Sequence, residues 1–524
     1  MPDRNAQSVA RAGVQISLLI GDVATSWLDD EANLADWRSL YAKCPWGTSF
    51  QAADFFRVWF RHYGARWRPL LVLGFDDRGR LTALIPLAAG DGVVTGAGAH
   101  QAEYHGWLGA ADGPSTFFKD AVAEILKTFP GHDLRLRCLP PGVPKVAVTA
   151  LLDGDRRAIA VTHERPLLAL DEAAINETLK KKSNRSKINR LKRLGAISIR
   201  KMEADEFERR IDEIGAMCDF RQGAVNDSCP FLNDAHKRPF HLDWVRTMPR
   251  DVHVSGMFVD DRLISVLIFA LSKREAHIAI TAHSPEHAEH SPGKIHIYEA
   301  ALALAREGLS FVDMTPGGDE WKTRFATQTD KVVDLTVYAN ARKAGLARIR
   351  RTIGAKAGPV LSAIRRRFKG VATSKTASET VTYSLAARGT SADADPSAEV
   401  GVNALSDLLR FGPKVARRTR QEFLSQALAR MEAGEGCYSL AGPRGLAGIG
   451  WRGTDALGDR LFDFSASPDS DARQVYAAIL ARMLAGPNGK GAAVRVAVPR
   501  ADGDLRSVVE RLGFQRDRPS IAER

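Results

Sequence analysis

The chain has 524 residues, with 74 Lys and Arg against 62 Asp and Glu for a net charge of +12, and 44% of its side chains are hydrophobic. That composition excludes a disordered or collagen-like polymer and leaves length for roughly three domains. The five cysteines (Cys44, Cys138, Cys218, Cys229 and Cys437) are scattered and form no C-x-x-C pair. Neither a disulfide framework nor a zinc module is indicated, and a reducing cytoplasm is the simplest compartment.

The apolar stretch Val14 to Ile20 is short and broken by Gln15 and Ser17, so it reads as a first strand rather than a leader. No run approaches about 20 apolar residues, and any membrane role would be peripheral. In the first block, to about residue 170, helical patterns hold Trp37, Leu40 and Tyr41, then Phe55 to Phe60. The run PLLVLGFDDRGRLTALIPLAA reads as a hairpin turned at Asp77-Arg78-Gly79. Six of the nine tryptophans (Trp27, Trp37, Trp46, Trp59, Trp67, Trp107) fall in this block. Aromatic faces stack on sugar rings, which makes Tyr104, in Glu103-Tyr104-His105-Gly106-Trp107, a candidate acceptor contact, although core packing accounts for most of the tryptophans. The segment GAGAHQ lacks the third glycine of a dinucleotide fingerprint.

From Lys180 to Lys201 there are ten Lys or Arg and no acid. A helix there carries charge around most of its circumference. It suits either a solvated linking helix or a positive wall for a nucleotide or RNA phosphate, and the family resemblance carried by the motifs below favours the linking helix over nucleic acid. The second block, 171–340, opens with amphipathic helices from Glu203 to about Phe220 and around Leu242 to Met248. The run VHVSGMFVDDRLISVLIFALSKREAHIAITAHS then reads as three antiparallel strands. After a polar loop, Ser284 to His290, Ser291-Pro292-Gly293 opens a helix that stops at Gly308. A short strand, Leu309 to Met314, leads through Pro316-Gly317-Gly318 to Trp321-Lys322.

A helix start that follows a strand aims unpaired N–H groups at an anion. His290, Ser291, Pro292, Gly293 and Lys294 are therefore candidates for holding a pyrophosphate, with Gly293 permitting close backbone approach and Lys294 adding charge. Proton transfer has His283, Asp313 and Tyr298 as candidates, with Glu286 and His290 nearby. A histidine titrates in the useful range unaided, whereas Asp313 would need burial to act as a base. Lys322 and Trp321 could hold an acceptor group. His277, His283, His287, His290 and His296 lack cysteines and ordered carboxylates, and Pro285 opposes a helix through them, so no metal site is assigned.

This order of helices, meander, loop, helix and strand resembles the GNAT acyltransferase fold. The motifs from Lys182 to Gly195, Ser291 to Tyr298 and Gly308 to Lys322 resemble those of the cellulose-biosynthesis acetyltransferase (CelD/BcsL) family within the GNAT superfamily, which shares a tandem layout with FemAB-type transferases. The resemblance implies an α+β fold of tandem GNAT-like domains with mixed, mostly antiparallel sheets, and acetyl-CoA as co-substrate. It also implies a small-molecule or saccharide acceptor in exopolysaccharide or cellulose biosynthesis. The loop HSPEHAEHSPG stands where such enzymes carry Gln/Arg-x-x-Gly-x-Gly/Ala. An aminoacyl-tRNA donor, or an inactive membrane-surface scaffold, therefore remains an alternative.

Residues 341–370 hold ten Lys or Arg and no acid. Between them recur Leu346, Ile349, Ile353, Val360, Leu361, Ile364 and Phe368. The pattern suits either a peripheral helix resting on anionic lipid at the inner membrane face or a packed interdomain helix, split near Gly358-Pro359. A Ser/Thr/Ala/Asp-rich linker follows to residue 397. The third block, 398–524, repeats a GNAT-like order, with a helix from Lys414 to Met431, strands, a helix from Ala472 to Leu484, a strand and a closing helix. Its loop SASPDSD is acidic where a pyrophosphate would lie, so it reads as an accessory domain.

Overall fold

Apolar residues at helical spacing drive the helix Ala53–Tyr63 to bury Phe55, Phe56, Val58, Trp59, Phe60 and Tyr63. The hairpin beside it pairs Arg68–Phe75 with Leu81–Gly90, and its turn closes on Asp76, whose carboxylate accepts from the Arg78 and Arg80 amides. The computed structural model describes residues 6–11, 14–110, 116–317, 319–352, 380–385, 399–412, 418–485 and 494–517.

One module recurs three times. In the first copy Val14–Ile20, Arg68–Phe75, Leu81–Gly90 and Val93–Gly96 form an antiparallel run. The helix Phe117–Thr128 then returns the chain to Asp133–Leu139, parallel to Val93–Gly96. A parallel neighbour needs such a crossover. In the second copy Ile197–Lys201, Val252–Val259, Arg262–Ser272 and Glu275–His283 are antiparallel. The helix Pro292–Arg306 leads to Phe311–Asp313, parallel to Glu275–His283. In the third, Val400–Val402, Gly436–Gly442, Gly445–Asp455 and Gly458–Ala466 precede the helix Ala472–Ala485 and the parallel strand Val494–Pro499.

The first two copies exchange their last strands. Ala158–Ala169 follows the first module but pairs with Phe311–Asp313 of the second, while Gln328–Val337 follows the second and pairs with Asp133–Leu139 of the first. The two exchanged strands also pair with each other from Gln328↔Leu167 to Val337↔Ala158. One 14-stranded sheet results, and the third module builds its own 7-stranded sheet. The fold is thus α+β, with GNAT-like modules in tandem and mixed, mostly antiparallel sheets.

Several expected elements differ. The polar loop is a 3-10 helix, Pro285–His290, and the strand after the long helix spans only Phe311–Asp313, since its pairing with Glu275–His283 stops at His277↔Asp313 and the backbone turns at Thr315, φ 62°. Within the Ser/Thr-rich linker, Thr380–Leu385 is a strand paired with Val494–Pro499; composition hid its alternating Val381, Tyr383 and Leu385. The third module's first long helix is Arg420–Glu432, started by a Thr419–Glu422 capping box. Residues 341–352 are helical, and the rest of the second basic run, 353–370, lies outside the described residues.

The third module rests on the helix Ala204–Asn226, whose Phe220 and Ala224, with Cys229 just beyond its end, share a buried cluster with Leu408, Phe423, Leu424 and Trp451. A Cβ on Gly223 would lie 2.7 Å from Leu424 Cδ1 and 2.9 Å from Cys229 Sγ. Gly223→Val should therefore overfill this seam and cost about 1–3 kcal/mol. Urea denaturation read by Trp451 fluorescence checks it, and unchanged stability would show that the modules are not packed there.

Candidate active site

The site lies where two parallel strands part. Glu275–His283 and Phe311–Asp313 pair only from Glu275↔Phe311 to His277↔Asp313. Beyond that point Glu275–His283 runs on beside Arg262–Ser272, while the other chain turns away at Thr315, whose φ is 62°. A wedge opens with one wall from Ile278 to His283 and the other from Met314 to Pro316. In the first wall the register passes from Phe269↔Ile278 to Ile268↔Ile280, so Ala279 is the extra residue of a β-bulge, and its side chain is exposed. A bulge takes backbone groups out of the ladder and frees them for a ligand.

The apex is a buried polar knot that draws on both halves of the sheet. Asp313, with no exposed surface, accepts from the Tyr104 hydroxyl, from His277 Nδ1–H at 2.9 Å and from Arg165 Nη1 at 3.2 Å on one carboxylate oxygen, and from the Thr315 amide at 2.7 Å on the other. Arg165 in turn forks onto Glu275 and Asp330, with bonds from 2.7 to 3.2 Å. Burial alone would raise the Asp313 pKa, but the bonds and charges of His277, Arg165 and Tyr104 outweigh it and hold the carboxyl below its ordinary value. Burial and the Asp313 charge push the Tyr104 phenol well up.

Ser272, His277 and Asp313 are connected as a nucleophile, base and acid would be, with His277 Nε2 3.0 Å from Ser272 Oγ. Ser272 is nevertheless buried and accepts from the Ser49 amide at 2.9 Å, so the three act as a staple between halves. Glu275, His277 and Asp313 also bring their ligand atoms within 4.8 Å of one another, a spacing suited to a divalent ion, but the Arg165 guanidinium already fills that role.

These contacts revise several expectations. Asp313 is sealed and held ionised by a cation, so it cannot reach a substrate proton. Tyr104 is fully buried and commits its hydroxyl to Asp313, so its ring is not offered to a sugar, and Trp37, Trp46, Trp59, Trp67 and Trp107 are likewise core residues. His283 stands on the wedge wall with Nε2 3.3 Å from Arg221 Nη1. Burial and that guanidinium depress it to about 4, which makes it a weak base with its lone pair engaged. Tyr298 packs its ring 5.3 Å from Phe325, which also meets Trp321 at 6.0 Å. Lys322 is buried and donates to Thr315 O at 3.2 Å and to Pro316 O at 3.4 Å. It braces the second wall instead of extending toward an acceptor.

The mouth of the wedge is the start of the helix Pro292–Arg306. Ser291 sits in the left-handed region, φ 49°, and makes no side-chain cap bond; its hydroxyl instead accepts from Lys187 Nζ at 2.6 Å. Pro292 has no N–H and serves as the helix-starting residue, so the Gly293 amide is the first donor of the helix. Lys294 Nζ lies 2.9 Å from Asn184 Oδ1, and burial with the neighbouring Lys187 and Lys181 lowers its pKa. His290 is buried, and its Nδ1 has no partner among the described residues. A Cβ at Gly293 would come 3.1 Å from His283 Nδ1. A clustered cation pair, a free helix start and a glycine cradle fit an anionic phosphate. The loop's Glu286 is neutralised by Arg262 at 2.6 Å. The first basic run is therefore more than a solvated linker, since Lys187 from its helix, Lys182–Leu194, forms part of the mouth.

Sequence reasoning missed Glu103, although it had reached the adjacent Tyr104. Glu103 is mostly buried, bonds Arg137 at 3.0 Å, and feels Asp313, Lys322 and His277. Burial raises its pKa, with Asp313 adding to the shift and Arg137 and Lys322 opposing it.

Residues 180–323 match the acetyltransferase (GNAT) domain family, so the module holding the wedge is a GNAT acyltransferase domain, a class that uses acyl-CoA. No curated protein sequence matches the chain. Among solved structures, the C-terminal domain of a putative lysylphosphatidylglycerol synthetase from Agrobacterium fabrum is 12% identical, covering 62% of this chain and 96% of that one with a TM-score of 0.39. FemX is 9% identical over 60% and 98%, with a TM-score of 0.43. The PaiA N-acetyltransferase of Thermoplasma acidophilum, in complex with coenzyme A, is 17% identical over 22% and 75%, with a TM-score of 0.19. Overlaps this loose carry nothing about substrate.

Removing the guanidinium from the knot should be costly. Arg165→Met leaves Asp313 as a buried unpaired charge, at an expected cost of about 3–5 kcal/mol in urea unfolding at pH 7; a loss below about 1 kcal/mol would contradict the knot. Because folding depresses the Asp313 pKa, the folded state binds fewer protons there. Its contribution is present above the ordinary value of about 4 and lost as pH falls through the folded one. Asp313→Asn should therefore flatten the acid limb of the stability–pH profile.

Proposed function

We propose that the chain transfers an acyl group, acetyl foremost, from acyl-CoA to an amine or hydroxyl of a saccharide precursor in exopolysaccharide assembly. The carrying observation is the wedge with bulged Ala279 on its open wall and a cationic helix start at its mouth. The saccharide class is supported by the resemblance of the motifs to the cellulose-biosynthesis acetyltransferases. Acyl-CoA supplies a thioester carbonyl and a thiolate leaving group.

The chain's own residues divide the work. Lys187, Lys294 and the Gly293 amide hold phosphate oxygens at the mouth. The open edge from Ile278 to His283 aligns an amide-bearing arm as a strand would be aligned. The Ala279 backbone, freed by the bulge, donates to the carbonyl oxygen as charge grows on it. Glu103, its pKa raised by burial and the Asp313 charge, accepts the proton lost by the acceptor.

Titration calorimetry with acetyl-CoA tests the donor. Wild type should bind and Gly293→Trp should not, while Lys187→Ala and Lys294→Ala should each weaken binding about tenfold, as expected for a lost charge-assisted bond. No binding by wild type would refute the acetyl-CoA reading and turn attention to an aminoacyl-tRNA donor. For the proton, Glu103→Gln should lower kcat by about 10²–10⁴ and remove the acid limb of the kcat/KM profile in CoA-release assays with amino sugars. An unchanged profile would remove Glu103 from the mechanism.

A further inference from the structure

Among the described residues, the helix at 341–352 has one face bound to the sheet and an opposite face that is exposed. On the bound side Ala344 is buried. Arg348 Nη2 donates to the carbonyls of Arg156 at 2.8 Å and Ala158 at 3.1 Å, and Arg351 Nη1 donates to Ala160 at 3.3 Å. These bonds fasten the helix to the start of the exchanged strand Ala158–Ala169. At a hundred degrees per residue, Arg342, Leu346 and Ile349 fall on one stripe, opposite Ala344, Arg348 and Arg351. Leu346 and Ile349 are each 57% exposed, and Arg342 and Arg350 beside them are exposed as well. The segment 341–370 contains no acid, and the acid this helix does meet, Asp133, is paired with Lys343 at 3.5 Å on the sheet side.

We propose that this face seats the protein on an anionic lipid bilayer, with Leu346 and Ile349 entering the boundary between headgroups and acyl chains and Arg342 and Arg350 pairing with lipid phosphates. Aliphatic residues between arginines select this occupant. Burying them in hydrocarbon is favourable and the adjacent guanidiniums meet the negative surface, which is the pattern of an interfacial helix. A nucleic acid would also attract the arginines but would gain little from two aliphatic side chains, and the helix carries no aromatic ring to stack on a base. Because the helix is fastened to the sheet by its own arginines, contact with the bilayer would fix the orientation of the whole tandem body. The inference is independent of the acyl-transfer reading.

Co-sedimentation of the full chain with vesicles tests it, using phosphatidylcholine alone and phosphatidylcholine with about a third phosphatidylglycerol. Binding is expected to the anionic vesicles only and to weaken as salt is raised. Leu346→Ser with Ile349→Ser should reduce it at least about tenfold, and Arg342→Gln with Arg350→Gln by about 25-fold, at about fivefold per charge. All four positions are exposed, so both variants should melt as wild type does, which separates lost docking from lost folding. Equal binding to neutral vesicles, no binding to anionic ones, or binding indifferent to the serine pair would overturn the proposal. So would tighter binding to single-stranded RNA that only the glutamine pair abolishes, since it would assign the face to nucleic acid.

Discussion

A guanidinium taken out of water is tolerated only when its donors are met by charge, and Arg165 meets three carboxylates, Glu275, Asp313 and Asp330. Its position on an exchanged strand makes that constraint structural. Asp330 lies on the other exchanged strand, and Glu275 and Asp313 are the residues that begin and end the parallel pairing. The knot therefore clamps the strands at the point where they are about to part. With the apex locked by Arg165, His277 and Tyr104, the segments beyond it are free to diverge, and the wedge exists because its base cannot open.

The same module is used three times, and local chemistry at the helix start separates the copies. In the second, Ser291 leaves the helix uncapped by its side chain, and Lys187 from a neighbouring helix gathers there with the helix's own Lys294. In the third, Asp471 accepts from the amides of Arg473 and Gln474, so the acidic loop occupies the donors a phosphate would use and opposes its charge. The strand exchange between the first two copies adds a second distinction. It places Tyr104, from a loop of the first module, against Asp313 of the second, so the knot beneath the wedge draws on a residue from outside its own module.

Much of this was legible locally. The turn at Asp76 to Arg80, the meander from Val252 to His283 and the helix begun by Pro292 follow from alternation, turn residues and proline preference acting within a few positions. The position of Gly293 and Lys294 in the first turn of that helix follows from the same short-range rules. Other features resist such reading. Asp313 looks like a base until its partners are known, because a carboxyl's role depends on whether its neighbours are water, apolar surface or a guanidinium. His283 is similarly indistinguishable from a useful base until Arg221, from a helix distant in sequence, is seen beside it.

Sequence alone determined the class of fold and the start of the helix Pro292–Arg306, since periodicity, capping and turn chemistry are properties of neighbouring residues. It also located the two basic runs, because charge density needs no partner to be seen. Tertiary structure decided that Ala158–Ala169 and Gln328–Val337 change places, that Ala279 bulges, that Arg165 finds three acids, and that Asp313 is sealed among them. Each of those depends on contacts between residues far apart along the chain, where the pairing free energy is set by burial and register across a sheet and no local pattern records which partner will arrive.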